Sequence, residues 1–316
     1  SVDWPDTKIQ TFALDNGVRF FLVEDHELPL VKVTVSIRSG EFQVPEGKEG
    51  LAELTAQVMR SGGSEQMTAD ELDTLLEDRA AQLSISMNFD SGEARLNVLK
   101  KDLERLLPVF VDVLHNPAFP QEKISLAKRQ MMTEISRRND SQDEVGFREF
   151  RRLLYGQKTV YGRLKEFSTV SRLTRADLLR FQQGSFQGRN LMVGVAGDIE
   201  TSQLKPLLTR LFSVFEPGQQ TAMDFPEVAK PQTRNWYLIN KPDVNQTFIL
   251  LGHEGDYRTN PDYPALQVMN TILGGGFSSR LFQNIRTEKG LAYSVFGNYG
   301  SEAFYPGMFF VGAKTK

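Results

Sequence analysis

Strand-like runs in this chain come in pairs about short turn signals, and helix-like runs come in blocks between them. Residues 9–14 and 18–24 flank an Asn16-Gly17 dipeptide, a pair suited to the positive backbone angles of a tight hairpin turn. Residues 31–37 place Val31, Val33, Val35 and Ile37 at every second position, the period of a strand with one buried face. Residues 83–89 and 94–99 read as a second hairpin about Asp90-Ser91-Gly92. Helical patterns follow at 51–59, after Thr68, at 102–114, 120–138, 145–154, 174–182 and 204–215. Thr68 with Glu71, and Thr174 with Asp177, have the spacing of capping boxes. Strands and helices segregate rather than alternate one for one, which points to an α+β fold and not a doubly wound sheet.

After a strand at 191–195, residues 217–231 are rich in proline, polar and small residues and read as a linker. The pattern then restarts. Strands are expected at 236–239 and 246–251, helices at 261–273 and 280–286, and strands at 292–299 and 308–311. That order echoes the opening as a weak internal repeat. The expected organisation is a first domain over 1–216, the linker over 217–231, and the N-terminal part of a second, homologous domain over 232–316. Only about 85 residues follow the linker, so by the repeat argument the second domain is expected to be truncated, with apolar faces left uncovered.

Composition narrows the function. A net charge of −3 and the lack of a basic run give no support for a nucleic-acid partner. No apolar run reaches the roughly 18 residues of a membrane span. The opening SVDWPD shows no leader pattern. There is no cysteine, which removes disulfides, thiol catalysis and cysteine-ligated zinc. The three histidines, His26, His115 and His253, are too far apart in sequence for a two-histidine helical metal motif. The acidic residues Glu65, Asp70, Glu71, Asp73, Glu77 and Asp78 read as a solvated helix face.

Residues 273–295 carry the most specific pattern. Gly274, Gly275 and Gly276 end a helix-like apolar run, and Arg286 and Tyr293 lie seven positions apart across a Lys-Gly turn. Two readings are open. A glycine-rich backbone can approach a ligand and leave N–H groups free, with arginine and tyrosine as fixed donors beside it. Equally, the glycines can be a plain helix stop and Tyr293 a packing residue.

This stretch resembles the second domain of the M16 metallopeptidases, the pitrilysin, insulinase and mitochondrial processing peptidase group. Asp262-Tyr263-Pro264-Ala265-Leu266, Asn270, Leu273 to Gly276, Ser279-Arg280-Leu281 and Gly290-Leu291-Ala292-Tyr293 fall in the family's order. The opening LDNGVRFFLVEDHELPLVKVTVSIRSG looks like the family's first strands. The resemblance implies the M16 (LuxS/MPP-like) fold, in which repeats of antiparallel sheet are covered by helices.

The family's zinc site is an inverted motif, His-x-x-Glu-His, with a distal glutamate as third ligand and the internal glutamate as general base. In the matching frame, Glu53 stands at the first histidine, Ala56 at the base and Gln57 at the second histidine. Glu134 lies 77 positions after Gln57, where the distal ligand is expected. A neutral amide is a poor substitute for imidazole on zinc, and without a carboxylate at 56 nothing there accepts a proton from water. Three readings follow: a metal-free polar cluster, a non-catalytic cation held by the hard oxygens of Glu53 and Glu134, or an active site elsewhere.

The resemblance further implies that Arg286 and Tyr293 bind substrate and the developing oxyanion, completing in trans the zinc site of a catalytic homologue with an intact His-x-x-Glu-His motif. The expected molecule is a non-catalytic subunit that encloses extended peptides, with Gly274, Gly275 and Gly276 at the chamber wall. It has no metal or other cofactor of its own, zinc being expected in the partner. A scaffold like the core subunits of the cytochrome bc1 complex is the alternative, and a homodimeric peptide binder a third. A bacterial, periplasmic setting is expected.

Overall fold

The computed structural model describes residues 8–229 and 233–316. Lys230 and Pro231, the last two residues of the expected linker, lie outside the described residues, as do residues 1–7. Two compact units emerge: the first runs to residue 135 and resumes over 165–222, the second joins 136–164 to 223–316. The expected first domain ran unbroken from 1 to 216, whereas the compact unit breaks at 136–164.

In the first unit, β1 (Gln10–Ala13), β2 (Arg19–Glu24), β3 (Leu30–Ile37), β4 (Gln82–Met87), β5 (Gly92–Leu99) and β6 (Leu191–Gly197) form one sheet in the order β1-β2-β6-β3-β5-β4. The hairpin turn uses Gly17 at φ 91°, as a glycine there allows. Val31, Val33, Val35 and Ile37 are each no more than 1% exposed. Across the ladders Val33 faces Leu96 and Val195, and Val35 faces Ala94 and Val193. Neighbouring apolar chains thus lie on one face, as the period-two pattern requires. The β2–β6 ladder is parallel and the other four antiparallel. The sheet is thus mostly antiparallel, with one parallel pair. β6 lies between two strands of opposite direction, so it must run parallel to one of them.

The helices are α1 (Leu51–Gly62), α2 (Ala69–Asp78), α3 (Leu103–His115), α4 (Gln121–Arg137), α5 (Gln142–Tyr155), α6 (Phe167–Arg172), α7 (Arg175–Ser185) and α8 (Thr201–Phe212). Leu54 and Val58 of α1, Leu107 and Phe110 of α3, Met131 of α4 and Leu208 of α8 join the sheet's valines in one core. Both capping boxes form, at Thr68 with Glu71 and at Thr174 with Asp177.

In the second unit, β7 (Thr247–Glu254), β8 (Asp256–Tyr257), α9 (Tyr263–Gly274), β9 (Ser294–Tyr299), β10 (Ser301–Glu302) and β11 (Met308–Thr315) follow in chain order. The sheet order is β7-β11-β9, antiparallel throughout, and β8 pairs with β10. Helix α5 joins this unit because of its aromatic face. The Phe147 ring sits 5.5 Å from Phe248 and 5.1 Å from Phe310, both edge-on. A side chain on Gly146 would meet the Phe248 ring at 2.5 Å, so glycine lets the helix settle on β7. The strand expected at 236–239 does not form. These residues have no ladder, and Trp236 and Leu238 are over nine-tenths exposed. Ile249 and Leu251 of β7 are also about half exposed.

The linker is held at Thr221 within the first unit and at Phe225 and Pro226 within the second. The Thr221 N–H donates to Asn190 Oδ1 at 2.8 Å and its carbonyl accepts from Arg38 Nε at 2.9 Å in the first. In the second, Tyr161 Oη donates to the Pro226 carbonyl at 2.6 Å and stacks on Phe225.

Asp177 at the start of α7 caps the helix and also pairs with Lys48. Burial pushes its carboxyl up, but the Lys48 ammonium and the Thr174 hydroxyl and N–H more than reverse this and hold it below its ordinary value. The folded carboxylate therefore binds its proton less tightly than the unfolded one. This contribution is present above the unfolded pKa and is lost as pH falls through the folded one. Asp177→Ala is expected to cost about 1–2 kcal/mol in chemical denaturation at pH 7, a difference that shrinks below about pH 4.

Candidate functional site

Glu53, Ala56 and Gln57 lie on α1, and Glu134 lies on α4. The fold brings Glu53 and Glu134 to one place, with a third group between them. The Lys165 ammonium donates to both Glu53 oxygens at 2.7 Å and to Glu134 Oε2 at 2.9 Å. Burial alone would push the ammonium's pKa down, but the two carboxylates outweigh it and raise it. Gln57 Nε2 donates to Gln130 Oε1 at 2.6 Å, one helical turn before Glu134, and Ala56 is 2% exposed in the core.

This donor set does not fit zinc. It offers no imidazole, a cation already sits against three carboxylate oxygens, and the Gln57 amide is engaged by Gln130. Among the described residues no group of three or more histidine, aspartate or glutamate side chains is placed to hold a metal ion.

The start of α1 is unusual. Gly50 adopts φ 94° at the N-cap and has no side chain to accept from the helix N–H groups. Glu41 does so from a distance in sequence. Its Oε1 accepts from the Gly50 N–H, and its Oε2 from the Ala52 N–H at 3.2 Å. A helix N-terminus favours a carboxylate, but burial dominates here. It pushes Glu41 up to about 7 against the two N–H bonds, with Glu53 and Glu49 adding repulsion.

Arg286 and Tyr293 are brought together in the second unit. The Arg286 guanidinium carbon lies 5.2 Å from the centre of the Tyr293 ring and 4.8 Å from that of Phe282. The backbone explains the meeting. The helix expected at 280–286 becomes a π-helix over Phe282–Glu288, a wider turn than the α-helix and a rare one. Gly290 at φ 60° then reverses the chain, and the Leu291 N–H returns to the Ile285 carbonyl at 2.9 Å. The Tyr293 N–H donates to the Lys314 carbonyl at 2.9 Å, extending the edge of β9 towards β11. Tyr293 is 73% exposed.

The three glycines differ from one another. Gly274 is buried at the end of α9, where a side chain would strike the Gly297 backbone at 2.6 Å. Its glycine is explained by the close approach of α9 to β9. Gly275 is the C-cap, and a side chain there would lie 2.8 Å from Thr271 Cα. Gly276 faces open space. Sequence reasoning missed Lys165, Glu41, Gln130 and Phe282. Only Phe282 left a signal, one helical turn before Arg286.

Helix α1 thus carries Glu53-x-x-Ala56-Gln57 with no histidine, beside Glu134 on α4, and the second unit carries the Arg286/Tyr293 pair. Residues 19–164 match the model of insulinase (peptidase family M16), and residues 172–316 match that of the peptidase M16 inactive domain. The chain belongs to the M16 peptidase family and is of its non-catalytic type. It is 26% identical over 307 residues to a Rickettsia bellii protein named as an uncharacterized zinc protease, covering 96% of this chain and 72% of that one. It is likewise 26% identical over 275 residues to the non-peptidase homolog YmxG of Helicobacter pylori, covering 86% of this chain and 63% of YmxG. Its fold is similar to a peptidase M16 inactive domain from Pseudomonas fluorescens, with TM-score 0.86 at 23% identity over 98% of this chain and 74% of the other. It is also similar to the periplasmic protease PqqL from Escherichia coli, with TM-score 0.78 at 17% identity over 98% of this chain and 36% of PqqL.

The Glu41 environment gives a pH signature. The folded carboxyl, near 7, holds its proton more tightly than the unfolded one near 4.5. Stability from this group is therefore full below the unfolded value and is lost as pH rises through about 7. Denaturant titrations from pH 4.5 to 8 are expected to show wild type losing stability across this window relative to Glu41→Gln, which cannot ionise.

Proposed function

We propose that this protein is the non-catalytic subunit of a heteromeric M16 zinc peptidase. It encloses extended peptide and presents Arg286 and Tyr293 to the zinc site of a homologue bearing an intact His-x-x-Glu-His motif. The observation that carries the reading is the half-buried Arg286 of the π-helix, set over the ring of the exposed Tyr293. A π-helix and an exposed aromatic ring do little for a core, and both suit a binding surface. The Tyr293 hydroxyl is the donor for a carbonyl oxygen as it gains charge, and the Arg286 fork, steadied on two rings, holds a neighbouring substrate carbonyl. Gly276, open on its side-chain side, leaves backbone accessible to an extended peptide.

This chain needs no metal or other cofactor for that role, and the zinc belongs to the partner. The loss of the base at Ala56 argues against hydrolysis by this chain alone. The periplasmic PqqL neighbour is compatible with a periplasmic setting, and no helix among the described residues is long and apolar enough to cross a membrane.

The test is peptide cleavage by this protein alone, by the zinc-motif homologue alone, and by the two mixed. Cleavage is expected only in the mixture. It should fall by about 10²-fold or more with Tyr293→Phe, the usual effect of removing an oxyanion donor, and also with Arg286→Ala. Equal cleavage with both residues replaced would leave a scaffold role of the respiratory-core type. Zinc-dependent cleavage by this chain alone would end the proposal, and so would a stable homodimer that binds peptide and ignores the homologue.

A further inference from the structure

Lys165 lies immediately before α6, far in sequence from both glutamates it touches, yet the fold delivers its side chain between α1 and α4. Two features hold it there. The Glu166 N–H donates to Thr169 Oγ1 at 2.9 Å, and the buried Thr169 hydroxyl reaches the Glu49 carbonyl at 3.0 Å, fastening the start of α6 to the turn before α1. Gly50 completes the fit. A side chain at this position would lie 3.4 Å from Lys165 Cβ and 2.9 Å from Met131 Cε, so glycine allows the lysine stem and α4 to close on the helix start.

The ammonium's contacts resemble those of a coordinated cation: both oxygens of one carboxylate and one of another, at 2.7, 2.7 and 2.9 Å. A divalent ion on the same oxygens would need distances of about 2.0–2.6 Å. It would then lie within a few ångströms of the ammonium, where two cations repel strongly. The carboxylates cannot serve both.

We infer that Lys165 is a built-in cation that takes the metal's place between Glu53 and Glu134 and keeps divalent ions out of this site. The two carboxylates alone would repel each other across the α1–α4 contact, and a bare pair of hard oxygens would recruit a divalent ion. The ammonium cancels one of their two charges and cross-links the helices without a metal. Arg286 and Tyr293 take no part in this, so either proposal can fail without the other.

The experiment is Mn²⁺ binding to the full-length protein, followed by electron paramagnetic resonance up to about 1 mM, the range of weak oxygen-ligand sites. Wild type, Lys165→Met, and Lys165→Met combined with Glu134→Gln are compared. Wild type is expected to bind no Mn²⁺ at this site. Lys165→Met should take up one ion per chain and melt at higher temperature in its presence. The double variant should lose that binding at least 10-fold. Lys165→Gln carries the same comparison if Lys165→Met does not melt cooperatively. Mn²⁺ binding by wild type that Glu53→Gln abolishes would overturn the inference. So would a folded Lys165→Met or Lys165→Gln that binds no ion, since the lysine would then be an ordinary ion pair.

Discussion

Strand β6 is the piece on which the first unit depends. It enters the sheet between β2 and β3, strands that precede it by more than 150 residues. Until it arrives, those two strands have no shared neighbour, and Val193 and Val195 are missing from the face that Val33 and Val35 present. The helices α1, α3 and α4 must therefore pack on a sheet whose centre is supplied last in sequence. A closure of this length costs chain entropy before any contact repays it. It also leaves the intervening chain free to spend residues 136–164 in the second unit.

Within that frame each residue of the α1 stretch and Glu134 has its own surroundings. Ala56 belongs to the core, and Gln57 has turned to Gln130. Glu53 and Glu134 still converge, because α1 and α4 still share one core through Val58 and Met131. Two converging carboxylates repel each other, and Lys165 lies against both. The start of α1 shows the same economy of means. With glycine at the cap, the helix N–H groups are answered by Glu41 from the preceding turn. Its carboxyl is pushed up by burial, although the helix end favours the charged form.

The Arg286–Tyr293 pair arises from local geometry in the second unit. An ordinary α-helix over 280–288 would turn Arg286 by about 100° per residue along the usual face. The wider π-turn over Phe282–Glu288, closed by Gly290, sets the guanidinium across both Phe282 and Tyr293. A guanidinium stacked on two rings loses little of its donor fork, because ring faces take no N–H groups in the guanidinium plane.

Much of this was written in the residues. The period-two valines of β3, the Asn16-Gly17 hairpin, the Thr68 and Thr174 capping boxes and the missing histidines at 53 and 57 are local facts, settled by side-chain alternation, backbone angles and ligand chemistry. The family order around Gly274 to Tyr293 was legible for the same reason. The sequence could not show that β6 runs parallel to β2, that α5 leaves the first unit for Phe248 and Phe310, or that residues 236–239 stay unpaired. Each of those depends on which distant surface a segment meets. Lys165 is the clearest case. Nothing in its neighbours marks it as a ligand, and it acquires its role only when packing sets it against two carboxylates, because electrostatic energy is decided by distance in space and not by separation along the chain.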